Sequence, residues 1–353
     1  MKDLNILMTG AGAPGAPGII KCLKKNGERS IRIVGVDVKD RVPTINMLDA
    51  FYSIPSATDS CFVDKVLEIC EKEKIEVIQP LVTRELEVFA NNIDLFNQRN
   101  IKICVSPIQN LKIANDKGLL LLQMKEAGLI VPDFYIVNTI KEFEDAVEKL
   151  NYPKSAICFK PTKSNGSRGF RIVDPNINRG DLLFKEKPNS TYICFDDAIE
   201  ILSSYPFPEL LVMEYMPGDE YSIDVLADFG KALVTIPRKR IALNGGISTN
   251  CIIENNQEII DYCERIVSLL SLDGNIGIQV RKGIDGKFKI LEINPRVQGT
   301  IVACFAAGAN MPYLAIKKKL GEKIPNLKIK WGVQMIRHWE ETYFDSDGHA
   351  YSL

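Results

Sequence analysis

Apolar residues fall along this chain in short runs separated by glycine-rich or polar turns, and the spacing of those runs sets the expected elements. Residues 4–8 are an apolar run of strand length. They lead into Thr9-Gly10-Ala11-Gly12-Ala13-Pro14-Gly15-Ala16-Pro17-Gly18 and then a helical stretch over 19–25. A second strand covers 31–38, with Asp37 near its end. Strand, glycine loop, helix and strand form a βαβ unit and therefore a parallel sheet. An amphipathic helix over 62–74, a strand over 75–81, a helix opening at Glu85 and a short strand over 101–105 complete one small α/β domain ending near residue 112.

The remainder reads as α+β. A helix starts at Asn115-Asp116-Lys117, runs through Glu126 and is stopped by Gly128 and Pro132. Residues 156–161 form a strand ending in Lys160, followed by the polar loop 162–170 and a strand over 171–173. Such a loop can curl its N–H groups around a phosphate, and it serves equally well as a solvated hairpin turn. It is not a Walker loop, because G-x-x-x-x-G-K-[ST] is absent and no helix follows. Residues 174–191 read as an irregular surface excursion, 196–204 as a helix, and 210–218 as a strand running into a turn. Glu220 opens an alternating strand whose partner covers 231–237. Arg238-Lys239-Arg240 then reads either as a solvated turn or as an anion-binding edge, and 245–248 as a flexible loop. A helix over 258–270, a strand over 277–281 and the Asp285-Gly286 turn lead into Lys289-Ile290-Leu291-Glu292-Ile293-Asn294-Pro295-Arg296. Helices over 302–307 and 312–320, a last strand over 333–338 and a polar tail from Glu340, expected to be mobile, end the chain.

The octapeptide at 289–296 carries the most chemistry. Strand periodicity puts Glu292 and Asn294 on one face, and a carboxylate and an amide oxygen are hard ligands suited to Mg²⁺. Pro295 ends the strand, and Arg296 follows as a fixed charge shaped for phosphate or carboxylate. The hairpin sets Gln279 on the neighbouring strand, so that Gln279 and Glu292 can share a cation. Near the amino terminus, Gly10, Gly12 and Gly15 fit G-x-G-x-x-G, with Asp37 placed as a ribose-binding acid would be. A nicotinamide dinucleotide therefore competes with a plain tight loop. Pro14 and Pro17 weigh against the dinucleotide, because each removes an amide and Pro17 falls where the helix should already be forming.

Composition narrows the class. The 353 residues, 46% hydrophobic and 25% charged, suit a soluble globular enzyme of about two to three domains. A net charge of −1 gives no bias toward nucleic acid. Nine cysteines without a CxxC pair read as reduced thiols of a cytoplasmic protein. The start lacks a signal-peptide core, and no apolar run approaches the ~20 residues of a membrane span. The histidines are His338 and His349, both late in the chain, which argues against a His-based metal site or a Ser-His-Asp triad.

The order of these signals is more specific than any one of them. A lysine opens a helix, and a second lysine ends a strand before a Ser/Gly loop. Then come Glu214-Tyr215-Met216-Pro217-Gly218-Asp219-Glu220, Gln279 on a strand, and Glu292-Ile293-Asn294-Pro295-Arg296. The chain thereby resembles the ATP-grasp superfamily, and within it one ATP-grasp unit of the carbamoyl phosphate synthase large subunit and related carboxylate–amine ligases. The resemblance implies an ATP-grasp fold of mixed α/β and α+β class. A Rossmann-like pre-ATP-grasp domain would cover 1–112, a connecting helix and small lid subdomain 113–212, and an α+β subdomain with the polar tail 213–353. It further implies ATP with Mg²⁺ (or Mn²⁺). Lys117 and Lys160 would contact phosphates under a lid loop of Ser164, Asn165, Gly166, Ser167 and Gly169. Glu214 and the backbone at Met216 would hold the adenine, and Glu220 the ribose. Gln279, Glu292 and Asn294 would ligate the metal. Arg296, with Lys160, would act on the transferred phosphoryl group or an acyl phosphate. Gln279 stands where many members carry Glu, which would weaken one metal site, although the synthase also has Gln there. A pocket for small-molecule substrates would involve Arg238, Arg240, Gly246 and Ser248.

The expected activity is ATP-dependent joining of a carboxylate to an amine through an acyl phosphate, in a chain too short for a whole synthase large subunit. The alternative is a non-catalytic ATP-binding subunit of a larger complex. Expected partners are small-molecule carboxylates and amines, with a homodimer or a partner subunit possible and neither nucleic acid nor membrane involved.

Overall fold

The structure is a computed structural model that describes residues 1–164, 166, 168–188 and 190–353. The chain forms two units, one of residues 1–114, 221–279 and 293–353, the other of 115–220 and 280–292.

The first unit opens with five parallel strands: β1 (Leu4–Thr9), β2 (Ile31–Asp37), β3 (Ala50–Ser53), β4 (Val77–Gln79) and β5 (Lys102–Ile103). Their order is β3-β2-β1-β4-β5. The near-continuous apolar runs of β1 and β2 follow from burial on both faces. Ile6 and Met8 pack into one core, while Leu7, Val34 and Ile78 pack into another. β3 has no sequence signal because Ala50, Phe51 and Tyr52 are only half-buried at the sheet edge.

The helix after the glycine loop runs Ala16–Lys24, so Pro17 does not delay it. Proline in a first turn lacks an N–H that the helix would leave unpaired anyway. The loop's glycines serve packing. A methyl group at Gly15 would meet Gly299 Cα at 2.3 Å. Gly12 N donates to Asp37 Oδ2 at 2.8 Å and Lys39 N to Oδ1 at 3.1 Å. Arg337 bridges Pro14 O (3.1 Å) and Gly299 O (2.6 Å). The acid in the ribose position is thus engaged by its own loop, and the third glycine accommodates protein backbone where a pyrophosphate would need it, which removes the support for a dinucleotide. Gly15→Ala is expected to destabilise this unit by about 1–3 kcal/mol, the usual effect of overpacking, read as a lower urea midpoint at unchanged slope.

The second unit holds β6 (Phe134–Val137), β7 (Ile157–Pro161), β8 (Arg171–Val173) and β9 (Leu210–Glu214), paired antiparallel in the order β6-β9-β7-β8. Phe143, Val147, Phe159 and Val212 form its core under helices Ile140–Lys149 and Phe195–Ser204. Helix Lys117–Glu126 is capped by Asp116, whose side chain accepts from Gly118 N and Leu119 N at 3.0 and 3.1 Å. The segment read as irregular contains a short helix, Arg179–Phe184, capped by Asn178.

A further sheet comprises β10 (Glu220–Asp228), β11 (Lys231–Asn244), β12 (Ile247–Ile253), β13 (Gly274–Lys282), β14 (Phe288–Asn294) and β15 (Gln334–Ile336), ordered β14-β13-β10-β11-β12-β15. β11 is twice the expected length. Arg238-Lys239-Arg240 lies inside it, paired with both β10 and β12, and is not a turn. The turn is Gly245-Gly246, both with positive φ (55° and 79°), the backbone a two-residue hairpin requires. Ser248 therefore sits in strand β12. The polar tail forms a hairpin, β16 (Tyr343–Phe344) with β17 (Ala350–Tyr351), where a loose end was expected. Thr342 Oγ1 donates to Pro43 O at 2.7 Å, and the Arg41 guanidinium lies 5.6 Å from the Phe344 ring centre. Among the described residues, no helix is long and apolar enough to cross a membrane.

Candidate functional site

Within the second unit, two lysines are brought together below the surface. Lys117, in the first turn of its helix, is 6% exposed, and Lys160, near the end of β7, is 7% exposed. Lys117 Nζ donates to Ser164 O at 2.5 Å and lies 3.5 Å from Ser164 Oγ. Lys160 Nζ donates to Leu291 O at 2.9 Å. Burial pushes both ammonium groups toward their neutral forms. Glu292 opposes this at each, and the two lysines lie close enough that Lys160 further depresses Lys117. The other acids acting on them have cations of their own. Asp116 is 3.4 Å from Lys163 Nζ, and Glu220 is 4.0 Å from Arg281 Nη1. Glu292 is thus the acid the two lysines share, and the cluster carries surplus positive charge suited to a polyanion.

The loop after β7 turns back on the strand, and a Cβ at Gly169 would come within 2.5 Å of the Pro161 ring. Ser164 and Gly166 belong to this turn, while Asn165 and Ser167 lie outside the described residues. Glu214, ending β9, accepts from Asp133 N (2.9 Å) and Lys289 Nζ (2.6 Å) through Oε1. Burial would depress Lys289, but its bonds to Glu214 and Asp285 outweigh that and hold it protonated. Met216 is buried just beyond Glu214. Arg281 fixes the following turn, donating to Gly218 O (3.1 Å) and the Tyr215 hydroxyl (3.3 Å), with its guanidinium 5.2 Å from the Tyr215 ring centre.

In the first unit, the hairpin of β11 and β12 assembles a second group. Arg240 donates to Ser248 Oγ (3.1 Å), to Gln279 Oε1 (3.4 Å) and to Gly246 O. Arg238 is not part of it. This residue is fully buried, with Nε 2.6 Å from Asp224 Oδ2, and presents no charge to a solvent-borne substrate. Arg296 leaves β14 in a tight turn, its N–H donating to Asn294 O at 2.7 Å. Its guanidinium reaches Thr83 Oγ1 (3.1 Å), Val297 O (2.8 Å) and Asn294 Oδ1 (3.3 Å). On β14, Glu292 and Asn294 are half-buried and flank the buried Ile293, the alternation expected of a strand with one open face.

Gln279 Oε1, the Glu292 carboxylate and Asn294 Oδ1 are all hard oxygen donors, and two of them receive long arginine contacts of 3.3–3.4 Å that a cation can replace. The donor set fits Mg²⁺ or Mn²⁺. Sequence reasoning passed over Lys289, Arg281 and Thr83. Apart from Asp285, four residues before Lys289, the partners of Lys289 and Arg281 lie tens of residues away in sequence, and no local pattern joins them.

Two segments of the chain match family models. Residues 206–340 match one described as ATP-grasp in the biosynthetic pathway with Ter operon, and residues 6–104 one described as PylC-like, N-terminal domain. The carbamoyl phosphate synthase large chain of Thermoanaerobacter sp. (strain X514) is 25% identical over 292 residues, covering 79% of this chain and 25% of that protein. The chain therefore spans about a quarter of the length of such relatives. Among solved structures, the biotin carboxylase domain dimer of Hydrogenobacter thermophilus 2-oxoglutarate carboxylase, in complex with MgADP, ADP and bicarbonate, superimposes with a TM-score of 0.70 at 15% identity, over 95% of this chain and 74% of that one. The L-amino acid ligase of Bacillus licheniformis gives 0.63 at 15% identity, over 91% and 75%.

Proposed function

Since the chain belongs to the ATP-grasp superfamily, we propose that it is an ATP-dependent carboxylate–amine ligase working through an acyl phosphate. The observation that carries this reading is the buried pair Lys117 and Lys160 sharing Glu292. Burying two ammonium groups around one carboxylate is unfavourable unless an anion completes the site. The γ- and β-phosphates of ATP supply one.

In this reading, a carboxylate oxygen attacks the γ-phosphorus, ADP leaves, and an acyl phosphate results. A neutral amine then attacks the acyl carbon with its lone pair, phosphate leaves with the C–O bonding pair, and the proton shed by the nitrogen leaves with the phosphate. The chain's own part is to place and neutralise charge, which is most of what phosphoryl transfer requires. Lys117 and Lys160 hold phosphate oxygens, and the turn that carries Ser164, Gly166 and Gly169 covers them. Glu214, Met216 and Glu220 take the adenine and ribose. Arg296, aimed by Thr83, steadies the acyl phosphate. The group of Arg240, Gly246 and Ser248 orients the substrate beside Gln279. A divalent cation held by Gln279, Glu292 and Asn294 would supply Lewis-acid neutralisation of the phosphates when bound.

A phosphate-release screen with MgATP across carboxylates and amines, followed by mass measurement of the product, tests the reading. ADP formation that needs both substrates, with a product mass equal to their condensation, is expected. Tight ATP binding with no ADP from any pair would instead indicate a non-catalytic ATP-binding subunit. Arg296→Ala is expected to spare ATP binding by calorimetry while removing substrate-stimulated ADP release, and normal turnover in this variant would refute its role.

A further inference from the structure

The strand order of the parallel sheet reverses at β1, with β2 and β3 on one side and β4 and β5 on the other. Beyond the carboxyl ends of strands at such a reversal, a doubly wound sheet opens a crevice. Thr9 ends β1 there, and helix Thr83–Asn91 begins just after β4. Glu85, in the first turn of that helix, is 5% exposed. The Thr9 hydroxyl donates to Glu85 Oε2, and among the described residues Oε1 accepts no hydrogen bond.

Among the described residues, no lysine or arginine compensates this carboxylate, and the charged group acting on it is Asp37, from the end of β2, which is also acidic. Burial raises the Glu85 carboxyl to about 7, the Thr9 hydroxyl pulls it back in part, and Asp37 adds to the rise. A buried acid without a counter-ion is destabilising and attracts a cation. The helix amino terminus favours the ionised form, so the anion is available once a cation arrives. A divalent metal ion suits the place poorly. It needs several oxygen ligands, and both Asp37 oxygens already accept backbone N–H groups, from Gly12 and Lys39. A monovalent cation that donates hydrogen bonds suits it well.

We propose that this crevice is a subsite for a primary ammonium group, with Glu85 as its counter-ion and Thr9 orienting the carboxylate. Resting on the ligase reading above, it is where the incoming amine is held as its ammonium, which passes one proton to the Glu85 carboxylate and so frees the nitrogen lone pair for attack. The Arg296 guanidinium is bound to Thr83, the first residue of the same helix, so the group assigned to the acyl phosphate and the group assigned to the amine share one helix end.

The test uses the full chain with n-propylammonium chloride and L-alaninamide as probes and n-propanol as the uncharged control. Both ammonium probes are expected to raise the melting temperature of the wild type, and n-propanol to leave it unchanged. Glu85→Gln is expected to weaken probe binding by roughly 10- to 100-fold, the usual range for losing a hydrogen bond to a charged group. In the wild type alone, the probe response should fade as pH drops below about 7, where Glu85 takes up a proton. This arm keeps the test valid should the variant fold poorly.

Without probe, a carboxyl raised from 4.5 to about 7 binds more protons folded than unfolded between those values. The wild type should therefore lose thermal stability as pH rises across that interval, and Glu85→Gln should not. Equal probe responses in wild type and variant, no response in the wild type, or a response independent of pH would overturn the subsite. Should the ligase screen fail while Glu85-dependent binding persists, the ligase reading falls and the subsite stands. Condensation with an unchanged KM for the amine in Glu85→Gln sinks the subsite and leaves the ligase.

Discussion

Lys160→Met is expected to lower substrate-stimulated ADP formation roughly 100- to 1000-fold, the range seen when one preorganised electrostatic donor is lost from a dry site. The side chain is 7% exposed, and burial already works against its charge, so the ammonium is retained for what it does and not for the stability it gives. Methionine is of similar length, packs readily and carries no charge. The variant should therefore keep its circular dichroism spectrum and melt no lower than the wild type. Its loss should appear in kcat as well as in ATP affinity, because charge on the transferring phosphoryl group is greatest in the transition state. Lys117→Met should act in the same direction. The double variant should lose less than the product of the two single losses, because Lys160 depresses charge on Lys117 and both lysines act on the same phosphates. Unaltered ADP formation in Lys160→Met would remove the lysine pair from the chemistry and the proposed function with it.

How much of this was legible in the chain depended on sequence distance. The strands β1, β2 and β10, the helix opened by Asp116 and Lys117, and the β13–β14 hairpin are written in local periodicity and caps, and they stand where that pattern puts them. Lys117 and Lys160 could be named but not joined. They are 43 residues apart, and no local rule says that both are buried around Glu292. Arg238 shows the opposite failure. Three consecutive basic residues suggest a polar edge, yet β11 continues through them, and period-two alternation sends Arg238 and Arg240 to one face with different ends: full burial against Asp224 for one, the Gln279 and Ser248 cluster for the other. The glycine loop misleads for a related reason. G-x-G-x-x-G marks close backbone approach without saying what approaches, and here the neighbour is Gly299, 284 positions downstream of Gly15. Glu85 was invisible as a chemical group because an acid in the first turn of a helix is ordinary. Only its burial without a cation sets it apart.

Asp224→Ala is expected to destabilise the protein by about 3–5 kcal/mol, because it leaves the Arg238 charge buried and unpaired. Arg238 is fully buried, and Asp224 is 1% exposed. Burial alone would drive the guanidinium toward neutrality, and Asp224 more than reverses that. The damage should reach the candidate site, since Arg238 Nη2 also donates to Gln298 Oε1 at 3.3 Å while Gln298 Nε2 donates to Ile223 O at 3.2 Å. Gln298 lies two residues beyond Arg296, on a segment that packs so closely on β13 that a Cβ at Gly277 would meet its side-chain nitrogen at 2.1 Å. Loosening Arg238 therefore loosens the base of the Arg296 loop. Arg238→Met alone should cost a similar amount by leaving Asp224 without its cation. Asp224→Leu combined with Arg238→Met replaces the pair by apolar volume and should recover most of the stability, as buried ion pairs elsewhere have done when both partners are replaced. Urea unfolding of the wild type, Asp224→Leu, Arg238→Met and the Asp224→Leu/Arg238→Met double variant forms a double-mutant cycle, and a coupling energy near zero would show that the pair does not hold this part of the fold. If the double variant regains its stability but not its ADP formation, the pair's role is to position Arg296 through Gln298, a role that a purely structural ion pair would not have.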